Sequence, residues 1–284
     1  MTPYKLTCGR IPVIIHVPHA STVFPKRLLE DSAVLNPEIN LRESVETIAD
    51  LHADRIADSF IKSSGLRPYV FTSTMSRMFF DPERFDSEDE EMNAAGMGVV
   101  YTKNHNGDDI YSSQPSEEHR RQRITKYYDV YSKAFTDTVD DVLRTYGTAC
   151  ILDLHSYSSA PLPYELHSEE TRSPLVIGYD PYHIQSVMDP VSALYSRPYV
   201  STNSVFKGSY VPLKHYHNDP RVSSVMFEVR KDVYMDEKSG SLKSSPYLES
   251  ILEDMGSLVS AVSSAAVSSK GSKERVKEAI PGVK

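Results

Sequence analysis

The sequence contains no tryptophan, only two cysteines, and no apolar run long enough to cross a bilayer. Each shortage excludes a class of protein. Cys8 and Cys150 are far apart, and the second lies inside an apolar stretch, so they form neither a disulfide framework nor a thiolate zinc site. The expected compartment is therefore the reducing cytoplasm. The opening residues MTPYKLTCGR lack the apolar segment of a secretory signal, and no membrane partner is expected. Positive charge is also in deficit: 31 Lys and Arg stand against 39 Asp and Glu, a formal net charge of −8. That balance argues against a nucleic-acid partner, because neutralising phosphates needs a basic face.

What is present is an ordinary globular composition, 39% hydrophobic and 25% charged over 284 residues, enough to bury a large core without staples. Ile11 to Val17 (IPVIIHV) is a β-branched run, the pattern of a strand covered on both faces. Leu41 to Ser63 has amphipathic spacing through Val45, Ile48, Leu51, Ile56 and Phe60 and predicts one helix stopped at Gly65. Arg67 to Thr74 reads as a strand, and Gly96 to Thr102 as a short extended segment after an acidic loop. Glu117 to Tyr146 predicts a long helix closed by Gly147, followed by strand Ala149 to Leu154 (ACILDL). Leu175 to Tyr179 and Val222 to Val229 are further strands, and Leu248 to Val262 a further helix. From Ser263 onward, the Ser, Ala and Lys content reads as a frayed helix or polar tail, giving one domain over 1–262 and a tail over 263–284.

Strands alternating with helices imply a mixed, mostly parallel central sheet with helices on both faces. In such sheets the ligand sits outside the carboxyl ends of the strands. That rule selects His19, His155 and Glu228, each at the end of a buried apolar run. Neutral imidazole is a frequent zinc ligand, and a catalytic zinc takes three protein ligands plus water. The stretch Asp50 to Asp54 offers the third ligand. On a continuous helix Asp50 and Asp54 share a face, and His52 points away from both. Asp153, two residues before His155 on the same strand, is placed to orient a ligand.

Six motifs in order resemble the N-formylglutamate amidohydrolase family. They are HVPHAS at 16–21, DLHADRI at 50–56, SRMFFDPER at 76–84, LDLHS at 152–156, FKGSYVPLKHY at 206–216 and EVRKDVYMDE at 228–237. The resemblance implies a fold like the zinc carboxypeptidases and one zinc ion per chain. The implied reaction converts N-formyl-L-glutamate and water to L-glutamate and formate, the last step of one histidine-degradation route. It further implies His19, His155 and Asp50 as zinc ligands, with Asp54 and His52 as alternates. Glu228 becomes the general base, and Arg77 and Arg84 the binders of the carboxylates of a small anionic substrate. Lys207, Tyr210 and His215 belong to a loop implied to close over that substrate or to supply an oxyanion donor, with Arg230 a weaker candidate. The alternatives are a carboxypeptidase- or aspartoacylase-like hydrolase of another N-acyl amino acid or peptide, and a catalytically silent metal or anion binder. Three departures from the family pattern bear on specificity. Glu83 replaces an Asn in the D-x-N-R motif, Ser209 replaces the second Gly of FKGGY, and Arg230 adds a charge after Glu228. Glu83 would repel a substrate carboxylate or pair with Arg84. Oligomeric state is not encoded in any of these features.

Overall fold

The computed structural model describes residues 1–29, 34–165 and 169–279. Nine strands and six α-helices follow in chain order: β1 (Tyr4–Thr7), β2 (Val13–Val17), β3 (Val34–Leu35), α1 (Leu41–Ile48), α2 (Ala53–Ser64), β4 (Tyr69–Ser73), β5 (Tyr111–Ser113), α3 (Glu117–Arg123), α4 (Asp129–Tyr146), β6 (Ala149–Tyr157), β7 (Leu175–Gly178), α5 (Met188–Ser192), β8 (Val200–Thr202), β9 (Val222–Arg230) and α6 (Pro246–Ala279). Seven strands form one sheet in the order β1-β4-β2-β6-β9-β7-β8, and β3 pairs with β5 in a separate ribbon. The central strands β4, β2, β6 and β9 are parallel, whereas β1 and the β7–β8 pair run against them.

The two-residue period of a strand sorts the core into two layers. In β2, Val13, Ile15 and Val17 join Cys150, Leu152 and Leu154 of β6 and Val225, Phe227 and Val229 of β9 in one cluster with α2, α5 and α6. Ile14, Ala149, Ile151 and Val222 point the other way, against Tyr131, Phe135, Val139 and Val142 of α4. Helices therefore cover both faces, and the sheet-facing side chains of both layers are almost fully buried. Each such Ile, Val or Phe contributes about 1.5–3 kcal/mol over an exposed position. Among the described residues no helix is long and apolar enough to cross a membrane.

Four expectations change. The amphipathic stretch from Leu41 is two helices, broken at Ala49–His52, where His52 takes a left-handed backbone (φ 67°). Gly96–Thr102 holds no strand; it is a chain of turns whose Val99 carbonyl accepts the Asp81 N–H. The helix from Glu117 to Tyr146 is interrupted by a π-turn at Ile124–Tyr128. Finally, the helix expected over Leu248 to Val262 does not stop there: α6 runs to Ala279, the helical one of the two readings given for the stretch from Ser263, and the last residues, 280–284, lie outside the described ones.

Candidate metal centre

The face of the sheet that packs on α4 also builds the site. His16 shares the parity of Ile14, Asp153 and His155 that of Ile151, and Glu228 that of Val222. All four side chains leave the same face, beyond the reach of the apolar layer. Register then pairs them: His16 stands beside Asp153 and His155 beside Glu228. His19 follows β2 through the Pro18 turn, and the helix break carries Asp50 up to it, with the Asp50 N–H donated to the His19 carbonyl at 2.9 Å.

Three ligand atoms meet there. His155 Nδ1 lies 3.3 Å from His19 Nδ1 and 3.0 Å from Asp50 Oδ2, and the third edge, His19 Nδ1 to Asp50 Oδ2, is 3.7 Å. The ligand atoms of a tetrahedral zinc stand about 3.3 Å apart, so the donors present fit such an ion. All three side chains are at most 6% exposed. Burial would raise the Asp50 carboxyl, yet His155 and His19 hold it below the usual carboxylate range. Burial likewise opposes a charge on His155, but Glu83 and Asp153 beside it raise its pKa well above the usual imidazole value. The pocket is built to hold positive charge, as protons or as a metal ion.

Only one of the two far nitrogens is hydrogen-bonded, and the buried His155 Nε2 has no hydrogen-bond partner among the described residues. His19 Nε2 donates to Asp81 Oδ1 at 2.9 Å, and His155 Nε2 lies 3.1 Å from Asp153 Oδ1. The Asp81 carboxylate so placed fixes the His19 ring and leaves its Nδ1 for a metal. Asp153 in turn accepts from His16 Nδ1 at 2.9 Å and from the Tyr210 N–H at 3.0 Å, while Tyr131 donates its hydroxyl to His16 Nε2 at 2.8 Å. A second carboxylate also approaches the pair: Glu83 Oε2 is 3.4 Å from His155 Nε2 and 3.7 Å from His19 Nε2, so His19, Glu83 and His155 form a further candidate ligand set. Asp50 thus approaches the two Nδ1 atoms and Glu83 the two Nε2 atoms.

A cleft of about 370 Å³ opens over the triad and is lined by His19, Asp50, Arg77, Arg84, His155 and Glu228, among others. Glu228 is 7% exposed, and its Oε2 is buried with no hydrogen-bond partner. Burial pushes its carboxyl up to about 8, against the pull of His155. Arg77 spends its fork inside the protein, with Nε donated to Asp81 Oδ2 and to the Tyr101 hydroxyl. Arg84 is freer: its nearest carboxylate is Asp81 at 3.7 Å, and its buried Nε has no hydrogen-bond partner.

The remaining candidates divide. Lys207 and Tyr210 line the cleft, and the Tyr210 ring stacks on His16 at 5.4 Å. Their loop turns at Gly208 (φ 78°), a left-handed backbone that favours glycine. Ser209, the departure from FKGGY, donates to the Ser224 hydroxyl, which donates to the Tyr210 carbonyl, so the substitution ties the loop to β9. His215 does not reach the cleft; its Nε2 donates to Asp140 Oδ1 on α4 at 3.0 Å. Asp54 is exposed and His52 donates to the Gly240 carbonyl, because the helix break turns both away from the triad. Arg230 bonds Asp232 and the Arg172 carbonyl. Glu83 neither pairs with Arg84 nor stands free, but faces His16, His19 and His155.

Sequence reading missed Asp81 as an anchor, together with Tyr101, Tyr131, His16 and Lys231. His16 was signalled by its parity in IPVIIHV, a polar residue on an otherwise apolar face. Tyr101, Tyr131 and Lys231 carry no local signal, since their partners lie 20 to 184 residues away, whereas Asp81 has Arg77 four residues before it.

A family model described as N-formylglutamate amidohydrolase matches residues 11–235. The chain belongs to that family. Its fold matches the crystallised N-formylglutamate amidohydrolase of Ralstonia eutropha JMP134 with a TM-score of 0.71 at 20% identity, covering 95% of this chain and all of that one. A protein of Agrobacterium tumefaciens matches at 0.63 and 14% identity, covering 93% of this chain and 96% of that one. No curated protein matches the sequence significantly. An amidohydrolase family places the cleft among sites that hydrolyse amides, and the buried His and acid cluster is one that can hold a metal ion.

Proposed function

We propose that the protein is a zinc-dependent amidohydrolase that cleaves the formyl amide of N-formyl-L-glutamate, with His19, Asp50 and His155 holding one zinc per chain. The observation that supports this most is the triangle of Nδ1, Nδ1 and Oδ2 atoms beside the unpartnered Glu228 carboxyl. When bound, zinc lowers the pKa of a coordinated water toward about 7 and polarises a carbonyl oxygen.

The chain's own groups do the rest. Glu228 takes a proton from the attacking water and returns it to the amine nitrogen of departing glutamate. A carboxyl poised near 8 suits both halves of that transfer better than an ordinary one. Arg84 receives a substrate carboxylate through its free guanidinium edge, while Arg77 and Tyr101 hold Asp81, and through it His19, in position. Lys207 and Tyr210 close the loop side of the cleft.

The apolar rim supports a second reading in which the acyl group is larger than formyl. Phe85 and Leu213 line the cleft, yet they are 50% and 67% exposed. A longer acyl chain would cover them. One experiment separates the two. Formate release from N-formylglutamate, run beside a panel of longer N-acyl glutamates with zinc content measured in parallel, should show the fastest turnover for formyl in zinc-loaded enzyme. Faster turnover of a longer acyl group would establish the second reading, and no turnover of any amide with zinc bound would refute both.

A further inference from the structure

Lys231 follows β9 by one residue and stands three positions beyond Glu228. It is 5% exposed, and its ammonium donates to the Thr47 carbonyl at the end of α1, 3.0 Å away. Among the described residues no carboxylate lies within ion-pair distance of it; Asp50, Glu228 and Glu237 act on it only from farther away. An ammonium offers three protons, and an unpaired buried charge is costly. Burial accordingly lowers its pKa.

The position of Lys231 in the cavities suggests what completes its shell. It lines the catalytic cleft and also a neighbouring cavity of about 600 Å³, and the two spaces share only Thr47, Ser158 and Lys231. Arg84 opens instead onto a third cavity, bordered by Tyr128 and Tyr210. Arg77 is already committed to Asp81, and Lys207 is exposed at the rim. Among the described residues the cleft thus has two cations with unused donors, Lys231 buried and Arg84 half-buried, and each borders a different side space.

We infer that Lys231 is a carboxylate subsite, receiving the side-chain carboxylate of an N-acyl acidic amino acid whose α-carboxylate rests on Arg84. This deepens the hydrolase reading and rests on it for the identity of the substrate. A single ammonium suits the distal carboxylate, which needs charge but no fixed plane, whereas the guanidinium fork fixes the carboxylate next to the scissile amide.

The test uses zinc-loaded wild type, Lys231→Gln and Lys231→Arg. N-formyl-L-glutamate is compared with N-formyl-L-glutamine, which is equally long but neutral at the end. Glutarate binding, read by calorimetry, provides a measurement that needs no turnover. In Lys231→Gln, KM for N-formylglutamate should rise at least about tenfold, the loss of one buried charge-assisted hydrogen bond. The kcat should stay within about threefold, N-formylglutamine kinetics and zinc content should not change, and glutarate binding should weaken in step. Lys231→Arg should recover most of the lost affinity. Equal losses on both substrates, a fall in zinc content, or glutarate binding unchanged by Lys231→Gln would each overturn the subsite. If wild type cleaves neither amide, the hydrolase reading fails, and glutarate binding alone then decides the subsite.

Discussion

His155 and Glu228 are register partners on adjacent parallel strands, so the ligand candidate and the base candidate leave the sheet side by side on one face. Neither can move without shifting the ladder between β6 and β9, which is buried along nearly its whole length. The spacing between the ligand candidate and the base candidate is therefore set by main-chain hydrogen bonds rather than by flexible loops.

That rigidity makes Glu228→Gln a clean removal. The amide keeps the shape but cannot take a proton, so kcat should fall at least about 100-fold while zinc content stays at one per chain. Single-turnover formate release with parallel metal analysis checks it. Near-full turnover would pass the base role to another residue.

Asp50 and Asp54 separate under substitution. Asp50→Asn should weaken zinc binding by at least about tenfold, because a carboxylate corner of the triad becomes a neutral amide. Asp54→Ala, at an exposed position on α2, should leave it unchanged. Competition titration against a chromogenic chelator distinguishes them, and the reverse order would move the third ligand onto α2.

The metal-free protein should lose stability as pH rises from about 5 to 8. Burial raises Glu228 to about 8, and the carboxylates around His155 raise that group as well, so over this range the native state binds more protons than the unfolded chain. Stability conferred by a raised pKa is present below the unfolded value and is lost on approach to the folded one. Zinc replaces those protons with its own charge and should flatten the slope. Thermal unfolding against pH, with and without chelator, tests the sign; a rise in Tm across the interval for the chelated protein would contradict it.

His215 gives the opposite kind of prediction. Since it pairs with Asp140 away from the cleft, His215→Ala should leave KM within about twofold and lower stability by about 1 kcal/mol. A large rise in KM would bring the residue back into the substrate site.

The sequence made some of this structure legible and hid the rest for identifiable reasons. The buried strands carried their own signal in apolar runs, and the rule of strand ends named His19, His155 and Glu228, which the fold places around one cleft. The edge strands β1 and β8, four and three residues long, lack such runs. The break at Ala49–His52 was hidden because apolar spacing continues across it, from Ile48 to Leu51 and Ile56, while the turn depends on a positive φ at a histidine. That break carries Asp50 to His19 and His155 and leaves Asp54 exposed, so an error in local structure propagated directly into an ambiguity of the site. The Asp81 anchor was hidden differently: Arg77 lies four residues before it in the same motif, but Tyr101 and His19 come from separate segments, and only the folded chain shows that they meet.

The main-chain bond from Asp50 to the His19 carbonyl has a consequence for assembly. His19 and His155 are 136 residues apart in the chain, and Asp50 reaches them only once α1 has docked and the chain has turned at His52. The three donors therefore come together late, after long loops have closed at an entropic cost that local contacts cannot repay. An ion that needs all three recognises the finished fold and ignores its precursors, so its binding free energy accrues to the native state alone. Metal occupancy in this family would then report folding quality as well as catalytic competence, and chains that stop short of docking α1 would remain empty.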